Sequence, residues 1–139
     1  MESFVEQECE MRLVTAPGGS VGVPTRLSYS PYDPYAVEIT FRFGQGCPVT
    51  WVFARELLAE GLRGPCGQGD VRIWPVLGEA RCDVLCLVLS APDGSAVLEV
   101  PSAMVERWLE RTYQVVPAGR EAELLDLDVE LCGLLGEAA

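Results

Sequence analysis

Residues 84–100 have the sequence VLCLVLSAPDGSAVLEV, which predicts two antiparallel strands joined by a tight turn. The run from Val84 to Leu89 is apolar throughout, as is typical of a central strand covered on both faces. The turn is Ala91-Pro92-Asp93-Gly94, in which proline presets a backbone angle and glycine tolerates positive φ. We therefore expect residues 96–100 to pair back on the first strand as a hairpin.

Alternation of apolar and polar residues predicts further strands before this hairpin. It is clearest over residues 5–13 and 37–43, where one side of each strand is apolar and the other is charged or polar. Extended segments are also expected around residues 23–29, 49–53 and 71–76, separated by turns rich in proline and glycine. With the hairpin, this makes about seven strands, mostly antiparallel.

Helical periodicity appears in three places. In the first helix, the apolar face is Phe53, Leu57, Leu58 and Leu62, and the opposite face is Arg55, Glu56 and Glu60. The second helix follows Pro101, with Ser102 as its N-cap and an apolar stripe formed by Met104, Val105, Trp108, Leu109 and Tyr113. A last short helix is expected to begin at Asp126 or Asp128 and to bury leucines near the end of the chain.

These elements predict one α+β domain over residues 1–139. It consists of about seven mostly antiparallel strands, one inserted short helix and C-terminal helices. A chain of this length is an ordinary size for one domain with one core.

The charge of the chain argues against two classes of partner. Its 10 basic residues, all arginine, face 21 acidic ones, so the net charge is −11, and histidine is absent. A field of this sign repels phosphate backbones and anionic lipid, so we expect no nucleic-acid partner and no membrane insertion. Neither a secretory signal nor a membrane-spanning run is present, so we expect a cytoplasmic protein.

Several fragments resemble catalytic motifs but lack the partners that the chemistry needs. Gly18 to Gly22 matches the Gly-x-Ser-x-Gly pattern, yet a nucleophilic serine needs a base, normally histidine. The glycine-rich segment 64–69 lacks the lysine of a phosphate loop, and Asp126 and Asp128 fit helix capping better than metal binding. Cys66, near two arginines, is the one cysteine that could be reactive. We predict no enzyme, no cofactor and no metal.

One segment has the composition of a protein-contact surface. Because side chains alternate along a strand, burying Val71 and Ile73 places Asp70, Arg72 and Trp74 together on the other face. Tryptophan and arginine are enriched at binding hot spots. The alternative is that a helix covers Trp74, and the residues alone do not decide between the two. Arg55 and Glu56, on the polar face of the first helix, are the next candidates.

Three further segments carry a resemblance to a known family. They are Asp33-Pro34-Tyr35-Ala36-Val37, WVFARELLAEGL at 51–62 and GDVRIWP at 69–75, and LDLD at 125–128 extends the likeness towards the end of the chain. Together they resemble the SsgA-like proteins of sporulating actinomycetes. Within that family, the second and third segments resemble most the members associated with recruitment of the tubulin-like division protein FtsZ.

The resemblance implies a non-enzymatic regulator of sporulation-specific cell division. Such a protein would act in the cytoplasm at septum sites, with FtsZ and sister family members as partners. The resemblance also implies a homotrimer and a fold like that of the "whirly" single-stranded nucleic-acid-binding domains. The alternative function is therefore a nucleic-acid-binding protein of whirly type, against which the net charge argues.

Overall fold

The computed structural model describes residues 4–76 and 83–123, which form one antiparallel sheet of eight strands with helices packed against it. The first half of the described chain contains β1 (Val5–Thr15), β2 (Gly19–Tyr29), β3 (Ala36–Phe41), β4 (Val49–Ala54) and α1 (Arg55–Gly61). The second half contains β5 (Cys66–Gln68), β6 (Val71–Val76), β7 (Val84–Ala91), β8 (Gly94–Pro101) and α2 (Ser102–Val115).

Each half is a meander of four strands followed by a helix. The spatial order is β4-β3-β2-β1-β8-β7-β6-β5, so the halves join where β1 pairs with β8. At this junction Leu13 lies opposite Leu98 and Arg12 lies opposite Glu99. The strands β4 and β5 are consequently the two edges of the sheet.

The predicted hairpin is confirmed as β7 and β8. Its register runs from Val84 opposite Pro101 to Ala91 opposite Gly94. Gly94 has a φ of 145°, a conformation that residues with a side chain rarely adopt. The turn chemistry therefore sets the register of this pair, which lies next to the junction between the two halves.

The hydrophobic core lies on one side of the sheet, which we call the inner face. The predicted apolar stripe of α2 is confirmed, because Val105, Trp108 and Leu109 are buried there. The Trp108 indole N–H also donates a hydrogen bond of 3.1 Å to the carbonyl of Val5. This bond ties α2 to the first strand of the other half of the chain.

The structure differs from the sequence prediction in the number of strands and in the N-cap of α2. The structure has eight strands because β5 lies inside the glycine-rich segment 64–69. Its three residues are too few to show alternation in the sequence. The predicted N-cap is wrong: Ser102 is the first helical residue after Pro101, and its buried hydroxyl makes no hydrogen bond. Its backbone N–H already donates to the Asp83 carbonyl, at 3.1 Å. The predicted helix at Asp126 or Asp128 lies outside the described residues, although 121–123 are helical.

Candidate protein-contact surface

The strand β6 places its predicted contact residues on the side of the sheet away from the core, the outer face. Val71 and Ile73 are buried on the inner face, whereas Arg72 is exposed and Trp74 is half-buried. Asp70 is exposed at the turn before the strand, where its carbonyl accepts a hydrogen bond of 2.9 Å from the Ser90 N–H. The structure thus brings Arg72 and Trp74 together, with Asp70 at the end of the same strand.

The alternative interpretation places a helix over Trp74, and within residues 4–76 and 83–123 no helix lies there. The neighbouring helix α1 packs against the inner face instead. A Cβ atom added at Gly61 of α1 would lie only 2.3 Å from the Ile73 Cγ2 atom, so this helix approaches the inner side of β6 closely. Trp74 projects in the opposite direction.

The outer face beside Trp74 carries both apolar and charged side chains, since Cys86 lies opposite Trp74 and Glu99 lies opposite Cys86. On β7, Val88 lies opposite Arg72 on one side and opposite Val97 on the other. Val84 lies two residues before Cys86, the residue opposite Trp74, and therefore points to the same face. The three valines are half-buried. We call Arg72, Trp74, Val84, Val88 and Val97 the Trp74 patch.

The valines of the patch were not among the residues that the sequence singled out. The apolar run from Val84 to Leu89 predicts coverage on both faces, but among the described elements the helices cover only the inner one. No helix of residues 4–76 and 83–123 covers the remaining apolar row. The apolar run was the sequence signal for this row, but it does not reveal which element covers each face.

The predicted position of Arg55 is wrong. Its side chain is 1% exposed, although the helical period places it opposite the apolar face of α1. Its guanidinium donates hydrogen bonds to the carbonyls of Thr112 and Val116, at 3.1 and 2.8 Å, and to the Glu121 carboxylate at 3.1 Å. Acceptors from a distant segment replace water around this cation, so it does not belong to a surface. Glu56, its neighbour, is exposed as predicted.

Two aromatic rings complete the surroundings of Arg55. Its guanidinium carbon lies 4.7 Å from the centre of the Tyr29 ring and 4.2 Å from that of Tyr113, which are cation–π distances. Arg55 therefore joins β2, α1 and the end of α2.

The fragments that resemble catalytic motifs have structural explanations where the structure describes them. Gly18 lies in the β1–β2 turn with a φ of 71°, and the Ser20 hydroxyl accepts a hydrogen bond of 2.9 Å from Arg12. Burial raises the pKa of the Cys66 thiol, and nearby Glu60 raises it further, which is the opposite of activation. This thiol donates to the Leu57 carbonyl at 3.2 Å.

Residues 4–76 and 83–123 contain no group of three or more His, Cys, Asp or Glu side chains placed to hold a metal ion. They also contain no helix with the length and hydropathy needed to span a bilayer.

Comparison with known proteins places the chain in a family. Residues 23–121 match the family described as "Streptomyces sporulation and cell division protein, SsgA". The sporulation-specific cell division protein SsgB of Streptomyces coelicolor is 46% identical over 138 residues, covering 99% of this chain and 100% of that protein. SsgB of Salinispora tropica is 48% identical over 133 residues, covering 94% of this chain and 92% of that protein.

The fold matches as well. The crystal structure of an SsgA-like sporulation-specific cell division protein from Thermobifida fusca superimposes with a TM-score of 0.88 at 37% identity, covering 95% of this chain and 96% of that one. Because sequence and fold agree over nearly the whole length, the chain belongs to the SsgA family of sporulation and cell division proteins.

Proposed function

We propose that the protein is a non-enzymatic adaptor of sporulation-specific cell division. It binds FtsZ, sister SsgA-like proteins or both, and acts in the cytoplasm at septum sites. The names of its relatives support the role in division. The observation that carries the adaptor function is the Trp74 patch, an apolar surface on the outer face that the described elements leave open.

The patch has the composition of a binding hot spot. Trp74 offers a large apolar ring, and the exposed Arg72 beside it offers charged hydrogen-bond donors. The half-buried Val84 and Val88 lie on β7 on either side of Cys86, the residue opposite Trp74, so they add apolar surface next to the ring. Asp70 and Glu56 lie outside the patch and remain candidates for its polar rim.

The absence of an enzymatic activity belongs to the same proposal. It is supported by the lack of histidine in the chain and by the raised pKa of the Cys66 thiol. Screening the purified protein with generic esterase and phosphatase substrates tests this part, and reproducible turnover would contradict it.

The substitution Trp74→Ala tests the adaptor function. We expect it to weaken binding to purified FtsZ or to a sister family member by about 2 kcal/mol or more, as for a hot-spot aromatic residue. Tyr32→Ala is the matched control, because Tyr32 is an aromatic residue that is 61% exposed in the turn between β2 and β3. Isothermal titration calorimetry measures both variants.

The stability of the variant separates the contact role from a structural one. Unfolding by urea should show little change in Trp74→Ala. A loss of about 3 kcal/mol or more would make Trp74 a core residue and remove the patch from the proposal. If the variant is folded and binds as the wild type does, the contact surface lies elsewhere, and Glu56 on α1 is the next residue to substitute.

The alternative, a whirly-type single-stranded nucleic-acid-binding protein, has one observation in its favour. An aromatic ring beside an arginine on a sheet, as at Trp74 and Arg72, could also stack a base. The net charge of −11 opposes it, so we expect no appreciable binding of an oligo-dT probe at physiological salt by fluorescence anisotropy. Sub-micromolar binding that weakens steeply with salt would favour this alternative.

A further inference from the structure

The two edges of the sheet differ in how they are protected. The edge strand β5 has three residues, too few to guide another strand. The edge strand β4 has six residues, VTWVFA, with no charged residue and no proline. Val49 and Val52 are 42% and 54% exposed. Proteins usually protect such an edge with charge, proline or a bulge, so an open apolar edge indicates a use for it.

The hydrogen-bond pattern between β3 and β4 shows which backbone groups of β4 point away from β3. The Arg55 N–H donates to the Tyr35 carbonyl at 2.7 Å, so these two residues form a hydrogen-bonded pair of the β3–β4 ladder. In an antiparallel ladder such pairs alternate with pairs whose N–H and C=O groups point away. Every second residue from Arg55 therefore bonds to β3, and the residues between them do not. Thr50, opposite Thr40, and Val52, opposite Glu38, are such residues, so their N–H and C=O groups point away from β3.

Thr50 and Val52 are therefore equipped to receive one more strand. Their two N–H and two C=O groups are spaced to exchange four hydrogen bonds with an antiparallel segment. Both residues are exposed, so the described chain does not cover them. The hydroxyl of Thr50 is 3.0 Å from that of Thr40, which keeps this side chain on the sheet and away from the free edge.

An apolar cleft lies beside the same edge on the inner face. It has a volume of about 320 Å³, and Phe43 and Trp51 on one side face Leu89 and Ala96 of the hairpin on the other. Since directly opposite residues on neighbouring strands point to the same face, a segment added to β4 would place the side chain opposite Trp51 at this cleft. The side chains opposite Thr50 and Val52 would lie on the outer face.

We propose that β4 binds an extended segment of a partner protein by strand addition. The segment runs antiparallel to β4, with an apolar side chain opposite Trp51 and a basic side chain opposite Val52. The basic residue follows from charge, because Glu38 lies directly across from Val52 on the outer face. This proposal concerns the backbone edge of β4, whose residues are not part of the Trp74 patch, and does not rest on the adaptor function.

Charge also argues for a different protein over a second copy of this chain. Two copies paired along β4 would bring together two domains with a net charge of −11 each. The β4 segment itself supplies no basic residue to place near Glu38. A lysine-bearing or arginine-bearing segment satisfies both the backbone groups of β4 and the Glu38 carboxylate.

The probe is a ten-residue peptide with valine at alternate positions and lysine or threonine between them, capped at both ends. We expect it to shift the amide resonances of Thr50 and Val52 in the ¹⁵N-labelled full chain. Two backbone-methylated versions have the same side chains. Methylation of the lysine and threonine nitrogens blocks the edge that pairs with β4, whereas methylation of the valine nitrogens leaves that edge free.

The matched protein variants are Val52→Pro and Val52→Thr. Proline removes the outward N–H but leaves the bonds to β3 intact, since the N–H of residue 52 is not part of that ladder. We expect Val52→Pro to weaken peptide binding at least about ten-fold, the effect of losing one well-made hydrogen bond and its geometry. Val52→Thr keeps the N–H and the β-branch, so its affinity should stay within about two-fold of wild type.

Three results would overturn the proposal. One is equal binding of the two methylated peptides to the wild-type chain, which means that charge alone holds them; this measurement needs no variant and stands even if Val52→Pro fails to fold. Another is the absence of any shift at Thr50 and Val52 up to about 1 mM peptide, weaker than short-segment recognition requires. The third is a fall in the mass of the assembly in Val52→Pro, which assigns the edge to a second copy.

Discussion

Arg55 is a cation that the protein holds almost without water. Removing it by Arg55→Ala leaves the carbonyls of Thr112 and Val116 and the Glu121 carboxylate without their shared donor. We expect a loss of about 3 kcal/mol in the free energy of unfolding, because breaking a buried ion pair strands the remaining partner. Urea denaturation followed by tryptophan fluorescence measures it.

The control for this prediction is the neighbouring residue. Glu56→Ala changes a charged side chain on the same helix, but that side chain is exposed, so its effect should stay within about 0.5 kcal/mol. Equal losses in the two variants would mean that the environment of Arg55 contributes nothing specific.

Glu121 makes the same contact dependent on pH. Burial acts to raise the pKa of its carboxyl, but hydrogen bonds from its own backbone N–H, from Arg55 and from the Gly119 N–H outweigh this and leave the pKa below its usual value of 4.5. A depressed pKa in the folded state contributes stability above the unfolded-state value that is lost as the pH falls through the folded-state value.

The variant Glu121→Gln tests this linkage because its amide does not titrate in that range. We expect wild type to be more stable than the variant at neutral pH, and the difference to shrink as the pH falls below about 4.5, the ordinary carboxyl range. Chemical denaturation at a series of pH values measures the difference. A difference in the free energy of unfolding that stays constant across the pH series would show that the charge of Glu121 does not contribute to stability.

At the scale of elements, the contact between α1 and β6 depends on a glycine. Gly61→Ala would normally favour a helix, but here the added Cβ would lie 2.3 Å from Ile73 Cγ2 and 2.7 Å from Ile73 Cβ. We expect a destabilisation of about 1–3 kcal/mol, the usual effect of overpacking a core. Thermal and urea unfolding measure it.

Gly64 is the matched control for Gly61. It lies three residues further along, and a Cβ atom there would meet nothing within 4 Å. Gly64→Ala should therefore be neutral or slightly stabilising, by up to about 1 kcal/mol. If both variants behave alike, the spacing between α1 and β6 is not set by Gly61.

At the scale of the whole molecule, we expect a homotrimer, as the family resemblance implies. A sheet-rich domain of this size leaves edges and faces that copies of the same chain cover in a closed oligomer. Multi-angle light scattering should give a mass three times that of the 15.1 kDa chain at micromolar concentrations. A monomer throughout that range would contradict this expectation.

The sequence by itself determined the elements whose signal is local. The alternation of β1 and β3, the turn of the β7–β8 hairpin and the apolar stripe of α2 each depend on neighbouring residues, and each is confirmed. Periodicity of this kind reports which side of an element is apolar. It also placed Arg72 and Trp74 together on one face of β6.

Only the tertiary structure decided what lies against each face. The pairing of β1 with β8 joins residues far apart in the chain and has no local signal. The burial of Arg55 depends on a ring from β2 and on a ring and two carbonyls at the end of α2, without which water would be the better solvent for a guanidinium. The outer face of β7 could not be predicted to lack a covering helix among the described elements. An apolar run indicates that a strand is buried on both faces, but it does not indicate which element or partner buries each face.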